Sequence, residues 1–414
     1  MERLKPREFG VAPRVLAALG VVLLASVAMV YVFGRGFGYD FAAYDDAARR
    51  IAHGGSLYLS NTAELYRQQQ FKGLYLYPPP LAAALIPLTV LTTHDARIVW
   101  LVLGLALLVG GCWIMPVGRN ARLLTLTVAF ASHPVLSDLN LGNVSIVVFA
   151  FSALAWRTTG RPIGALAHAA LIAIRFPFAV FFVKWLIERR ARSIVLTIGA
   201  GLVLILVSLP IVGLSTYQDY VTILRGLPDI STGAHNLSLK STALRVGIPA
   251  GLAALAVPAG YLVGIVAIVY SARRRDPDVA FVVCAVATLL VSPFIHPHYL
   301  TVLLLPTALL VDRGHFWALA LPLLGWLPGA LLPVLAPLTI GVLLLIDRRA
   351  RIGLGAGVVT TKSEGSTQPI GGSGLSRDIG ATATPSRKNR PVVVTRASSN
   401  PARASAASNP AGWW

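Results

Sequence analysis

The chain has 414 residues, 55% of them hydrophobic and only 13% charged, with a mean hydropathy of +0.69. Too few polar side chains remain to coat one soluble core of that size, so a single water-soluble domain is excluded and a polytopic, all-α membrane protein is predicted. The formal net charge of +19 would fit nucleic acid, but Arg and Lys lie between apolar runs, as in ERRAR (188–192), SARRR (271–275) and DRRAR (347–351). That is the positive-inside pattern of cytoplasmic loops, and no nucleic-acid partner is implied.

Residues 15–34 form an uncharged apolar run of the length that crosses a bilayer, about 20 residues. It is long, lacks a clear small-residue cleavage site and is followed by further spans, so it reads as a retained span and not a signal peptide. Arg3, Lys5, Arg7 and Arg14 precede it, which places the N-terminus in the cytoplasm and the next loop outside. That loop opens GYDFAAYDDAARRIAHGGSLY, in which Asp40 is the first acid after the run. An Asp at mid-bilayer costs roughly 2.5–3.5 kcal/mol on insertion scales, so Asp40 belongs at the aqueous edge or in a protein cavity, where it suits a general base. Tyr44 is four residues on and shares its helical face; a Gly54-Gly55 turn and Tyr58 follow. Asp45, Asp46, Arg49 and Arg50 read as the solvated face of an interfacial helix.

Tyr77-Pro78-Pro79-Pro80 presets an extended entry to the next apolar segment, a structural role. A full crossing by residues 78–92 would turn GRNAR (118–122) outward, against the charge rule. A re-entrant or shallow element keeps GRNAR and RTTGR (157–161) in the cytoplasm and is preferred; it needs a break near Arg175-Phe176-Pro177. Further apolar runs at 96–117, 194–213, 249–270 and 279–295, with shorter ones at 121–136, 144–156, 299–311, 316–331 and 333–346, bring the expected total to about 12 crossings. Cys112 and Cys284 fall inside such runs and act as small hydrophobes.

On this topology several polar stretches meet on the outer side. Gly142-Asn143-Val144-Ser145 interrupts two apolar runs, and Asn143 either caps the following helix or faces the site. Arg175 stands alone in ALIAIRFPFAVFF, and a phosphate matches its planar fork. His235, Asn236, Ser238, Lys240, Ser241 and Arg245 lie in a long outward loop, 214–248. His296-Pro297-His298-Tyr299 follows Ser292-Pro293; without acidic or Cys partners at ligand spacing, hydrogen bonding or phosphate binding is favoured over metal. Beyond about residue 352 the composition turns to Gly, Ser, Thr, Ala and Pro. Residues 351–414 carry eight Arg or Lys against two acids, hence +6, and are expected to form a disordered basic cytoplasmic tail drawn to anionic headgroups.

Asp40-Phe41-x-x-Tyr44, Gly55-x-x-Tyr58, Tyr-Pro-Pro, Gly142-Asn143-x-Ser145, the cation before a Pro-containing apolar stretch, Asn236-x-Ser238-Leu239 with Arg245, and Ser292-Pro293 leading to His298 together resemble glycosyltransferase family 87. The resemblance spans residues 30 to about 345. It implies a GT-C-like transmembrane domain over 1–350, a polyprenyl-phosphate sugar as donor, and a glycolipid or polysaccharide hydroxyl as acceptor, among membrane lipids. By the same resemblance Asp40 is the general base of an inverting transfer, with Tyr44, Asn143, Arg175, Asn236, Ser238, Lys240, Arg245, His296 and His298 as substrate-binding candidates. No cofactor or metal is implied, and no Asp-x-Asp is read as holding one. Three positions depart from the family pattern: Gly142-Asn143-Val144-Ser145 for Gly-Gln-x-Asn, Arg175 for Lys, and His296-Pro297-His298-Tyr299 for Trp-x-His-His. A membrane carrier is the rival class, since carriers also bury Asp, Arg and His; it would place them near the midplane of repeated halves, and the chain shows no convincing internal repeat. A catalytically inactive relative that binds lipid-linked sugar is a third reading.

Overall fold

The computed structural model describes residues 36–68, 73–227, 236–274, 276–327 and 332–357, with scattered positions between 18 and 25; side chains are described as far as residue 346. Most of the first apolar run, His235 and the tail after 357 therefore lie outside the described residues. The chain divides into one unit of Met1–Val359 and a second of Thr360–Trp414.

All regular structure among the described residues is helical. In chain order the α-helices are α1 (Tyr39–Ala52), α2 (Thr62–Arg67), α3 (Pro79–Leu85), α4 (Thr93–Ile114), α5 (Arg119–Ala129), α6 (His133–Leu141), α7 (Ser145–Arg157), α8 (Pro162–Ile174), α9 (Phe181–Ile187), α10 (Ala191–Val212), α11 (Leu214–Gly226), α12 (Leu239–Arg245), α13 (Ala250–Ala254), α14 (Ala256–Arg273), α15 (Pro277–Leu290), α16 (Leu304–Asp312), α17 (Ala320–Leu323) and α18 (Leu335–Gly357). Short 3₁₀ turns at Ile86–Val90, Phe176–Val180 and Pro297–Leu303 join α3, α9 and α16 respectively.

Among the described residues, three helical stretches are long and apolar enough to cross a membrane: α4, α10 and Ala250–Arg273. The pair α6–α7, bent by 118°, adds a broken span or a re-entrant loop, and seven more apolar helices are shorter. Several apolar side chains of α10, among them Leu202, Leu206 and Val207, are exposed. Acyl chains, not water, suit such a surface. At the opposite extreme, α15 buries every residue from Val279 to Leu290 and forms the centre of the core. Cys112 and Cys284 are free and buried in that core.

Local sequence explains the helix boundaries. Thr92 caps α4 by accepting Asp95 N–H at 3.2 Å, and Ser132 caps α6. Asp276-Pro277-Asp278, the chain's one Asp-x-Asp, starts α15: Asp276 accepts two amides and pairs with Arg313 at 2.9 Å, while Asp278 accepts Trp156 Nε1–H at 2.9 Å. Pro79 opens α3, and with its 3₁₀ extension the element ends at Val90, short for a bilayer crossing. The helix α8 stops at Ile174, because Pro177 disfavours a continuous helix and Arg175 is extended (φ −139°, ψ 96°). The expected long loop 214–248 is not a loop throughout: α11 and α12 occupy much of it.

The expected solvated face of α1 is also corrected. Asp45 is 1% exposed, pairs with Arg49 at 2.9 Å and accepts Thr93 Oγ1–H at 3.0 Å. Arg49 donates to the carbonyls of Thr89 and Leu91, and Arg50 to those of Ser56 and Leu57. These groups tie α1 to the turn after α3 and to its own C-terminal loop; only Asp46 is exposed. A charged run on a short helix looked like a water-facing surface, but the carbonyls ending the 3₁₀ turn need donors and take them from it.

Candidate active site

Asp40 occupies the first turn of α1, whose N-terminus is fastened to α6 by Gly38 N–H donating to Asn140 O at 2.7 Å. Its carboxylate is half-buried and accepts Asn143 Nδ2–H at 2.8 Å. Burial raises its proton affinity above the ordinary carboxylate range, and the Asn143 bond partly offsets that. Asn143 also donates to Tyr44 Oη at 3.3 Å, and Tyr44 donates to Tyr77 Oη at 3.4 Å. The shared helical face of Asp40 and Tyr44 therefore meets one amide.

Asn143 projects from the bend between α6 and α7. Gly142 takes the left-handed conformation there (φ 67°, ψ 35°), and a Cβ on it would lie 2.8 Å from that of Phe41. Trp100 stacks on Phe41 and donates to Gly142 O at 2.9 Å, closing the turn. Asn143 does not cap α7. Asp138, 2% exposed, does so from six residues before the N-cap Val144, accepting the amides of Ser145 at 2.9 Å and Ile146 at 3.0 Å.

Ser145 links the turn to a cation. Its hydroxyl donates to Asn143 Oδ1 at 3.1 Å and accepts a hydrogen bond from Arg175. The break after α8 aims this guanidinium at the ring of Tyr299, with Cζ 3.5 Å from its centroid. Arg175 Nε is buried without a hydrogen-bond partner among the described residues. Tyr77 and Tyr299 each feel both the Asp40 carboxylate and the Arg175 guanidinium, so the two phenols stand among the charged groups. Tyr77, Arg175, His296 and Tyr299 all keep partial exposure.

His296 and His298 flank Tyr299: their rings stack at 5.2 Å, and the His298 ring is 5.2 Å from that of Tyr299. His298 is 2% exposed, and neither ring nitrogen has a hydrogen-bond partner among the described residues. The remaining candidates sit on another segment. Asn236 accepts the amides of Ser238 and Ile295 and donates to Pro293 O; Ser238 caps α12. Arg245 is exposed and donates to Asn236 O at 2.6 Å; Lys240 is half-buried. This segment docks against residues 293–295, just before His296, with its buried amide and hydroxyl engaged by the main chain.

The structure thus brings Asp40, Tyr44, Asn143 and Arg175 together, with His296 and His298 alongside. Three of its groups escaped the sequence reading. Asp138 was hidden in an apolar stretch, where a lone acid is itself the signal. In the sequence Tyr77 stands as a prelude to prolines, and Tyr299 as the end of a His motif.

Among curated proteins and solved structures, no match was found. The family model of glycosyltransferase family 87 matches residues 75–293, just over half of the 414 residues. The match contains Tyr77, Asp138, Asn143, Ser145 and Arg175; Asp40 precedes it, and His296 and His298 follow it. A transferase is thereby favoured over a carrier, and the chain belongs to glycosyltransferase family 87, a membrane glycosyltransferase.

Proposed function

We propose that this protein moves a hexose, mannose first among the candidates, from a polyprenyl-phosphate sugar to an extracytoplasmic glycolipid or polysaccharide hydroxyl, with inversion. The observation that carries the reading is the relay from Asp40 through Asn143 and Ser145 to Arg175, which ties a proton acceptor to a cation suited to phosphate. The acceptor oxygen attacks the anomeric carbon and Asp40 takes its proton, a contribution typically worth about 10²–10⁴ in rate. The bond from that carbon to the phosphate oxygen breaks, and the lipid phosphate leaves with the electron pair. Arg175 meets the developing charge, with His298, His296, Lys240 and Arg245 as further donors; Asn236 and Ser238 support α12, which carries the last two.

On this reading the chain is a GT-C-like bundle of about 12 crossings in the plasma membrane. Both termini are cytoplasmic, Asp40 faces outward, and the basic tail lies near anionic headgroups. The test offers membranes carrying the protein a panel of radiolabelled polyprenyl-phosphate sugars, mannose and arabinofuranose included, with endogenous lipid acceptors. Protein-dependent label in a glycolipid or polysaccharide supports the reading. Label that stays on the donor throughout the panel, or uptake of a free solute into vesicles without transfer, contradicts it.

A further inference from the structure

Asp138 is a buried carboxylate to which the transfer chemistry assigns no step. It makes no ion pair among the described residues; its partners are amides. One oxygen accepts Ser145 N–H at 2.9 Å, the other accepts Ile146 N–H at 3.0 Å, and its own carbonyl accepts Asn143 N–H at 3.1 Å. With Gly142 N–H, which donates to the same carbonyl, four amides of one turn thus converge on a single residue. The N-cap Val144 offers α7 no side-chain cap, so Asp138 supplies from α6 what the local sequence lacks.

What the turn carries gives this fastening its consequence. Asn143 holds Asp40 and Tyr44, while Ser145 holds Arg175 and Asn143. The carboxylate and the guanidinium arrive on separate segments, α1 and the break after α8, and meet through these two side chains. We propose that Asp138 is a positioning residue that sets the spacing of Asp40 and Arg175 through the turn between them, a role that rests on the transferase reading above. A carboxylate is needed because both oxygens must accept. Asn at this position keeps one acceptor and turns an NH₂ toward an amide donor.

The test uses the full chain in lipid nanodiscs, with Asp138→Asn, Asn143→Ala, their double variant and Asp40→Asn. Hydrogen exchange over residues 143–146 reports the fastening. Initial rates with a labelled polyprenyl-phosphate sugar report its effect on catalysis. Asp138→Asn is expected to speed exchange at 143–146 and lower kcat about 10- to 100-fold, with KM for the donor changed less than about threefold. In the Asn143→Ala background the same change costs less than about threefold, because its route is already cut. Unchanged exchange, wild-type kcat, or a loss that adds in full to that of Asn143→Ala overturns the proposal. Should Asp138→Asn not accumulate, Asp138→Glu, with both acceptors one methylene further out, is read by the same criteria. Wild-type protein that transfers no sugar counts against the proposed function, and the exchange data then still decide whether Asp138 fastens the turn.

Discussion

Replacing Arg175 with Lys keeps the charge and discards the geometry. The guanidinium carbon sits 3.5 Å from the Tyr299 ring centroid, the group hydrogen-bonds Ser145, and its buried Nε–H has no partner among the described residues. An ammonium cannot stack as a plane or reach hydroxyl and phosphate as a fork. The lost stack is worth about 0.5–1 kcal/mol at a partly exposed site, and the weakened charged hydrogen bond about 1.5–3 kcal/mol. Because Lys retains attraction to the phosphate, we take the lower end, about 2 kcal/mol, which converts to roughly 30-fold in kcat/KM. The assay is initial-rate transfer from a labelled polyprenyl-phosphate sugar, comparing Arg175→Lys in wild-type and Tyr299→Leu backgrounds. The effect should shrink when Tyr299 is absent, since the two are in contact. Arg175→Lys within threefold of wild type, or an equal cost in both backgrounds, would refute the assignment of Arg175 as a stacked phosphate donor.

Burial holds the Asp40 pKa above the usual carboxylate value of about 4, and a base works only when deprotonated, so activity should fall as pH drops through a value above that figure. Asn143→Leu removes the bond that offsets the shift and should move this acid limb to higher pH in a rate profile. Asn236→Ala leaves the buried amides of Ser238 and Ile295 without an acceptor; a loss of about 2–4 kcal/mol is expected as a lower Tm, with little change in donor KM. Gly142→Ala forces a Cβ into the left-handed region and against Phe41. It should cost at least about 1–2 kcal/mol in stability and also depress kcat, because Asn143 moves with the turn.

Much of this arrangement was legible in the sequence, for reasons that differ by residue. Asp40 was visible because an acid just after an apolar run is rare and costly. Arg175 stood out for the same reason, and Pro177 announced the break that places it. The role of Asn143 was ambiguous because Asn serves equally as a cap and as an amide donor. Only the distant Asp138 carboxylate, which takes the capping duty, frees Asn143 for Asp40. Asp45, Arg49 and Arg50 were misread because helical periodicity identifies a polar face without revealing which carbonyls lie opposite it. Stacking of Tyr299 on Arg175 joins residues more than a hundred positions apart, a contact no local pattern encodes. Membership of the family rests on residues 75–293, so the pairing of Asp40 with that region comes from geometry.

In the proposed transfer Asp40 receives the proton of the attacking hydroxyl. The most direct test of this step is the transfer rate of purified Asp40→Asn against wild type, with matched amounts of folded protein and a saturating polyprenyl-phosphate sugar that wild type accepts. The expected kcat is lower by about 10²–10⁴, with the donor still bound at near wild-type affinity. An Asn variant that turns over within tenfold of wild type would contradict that role.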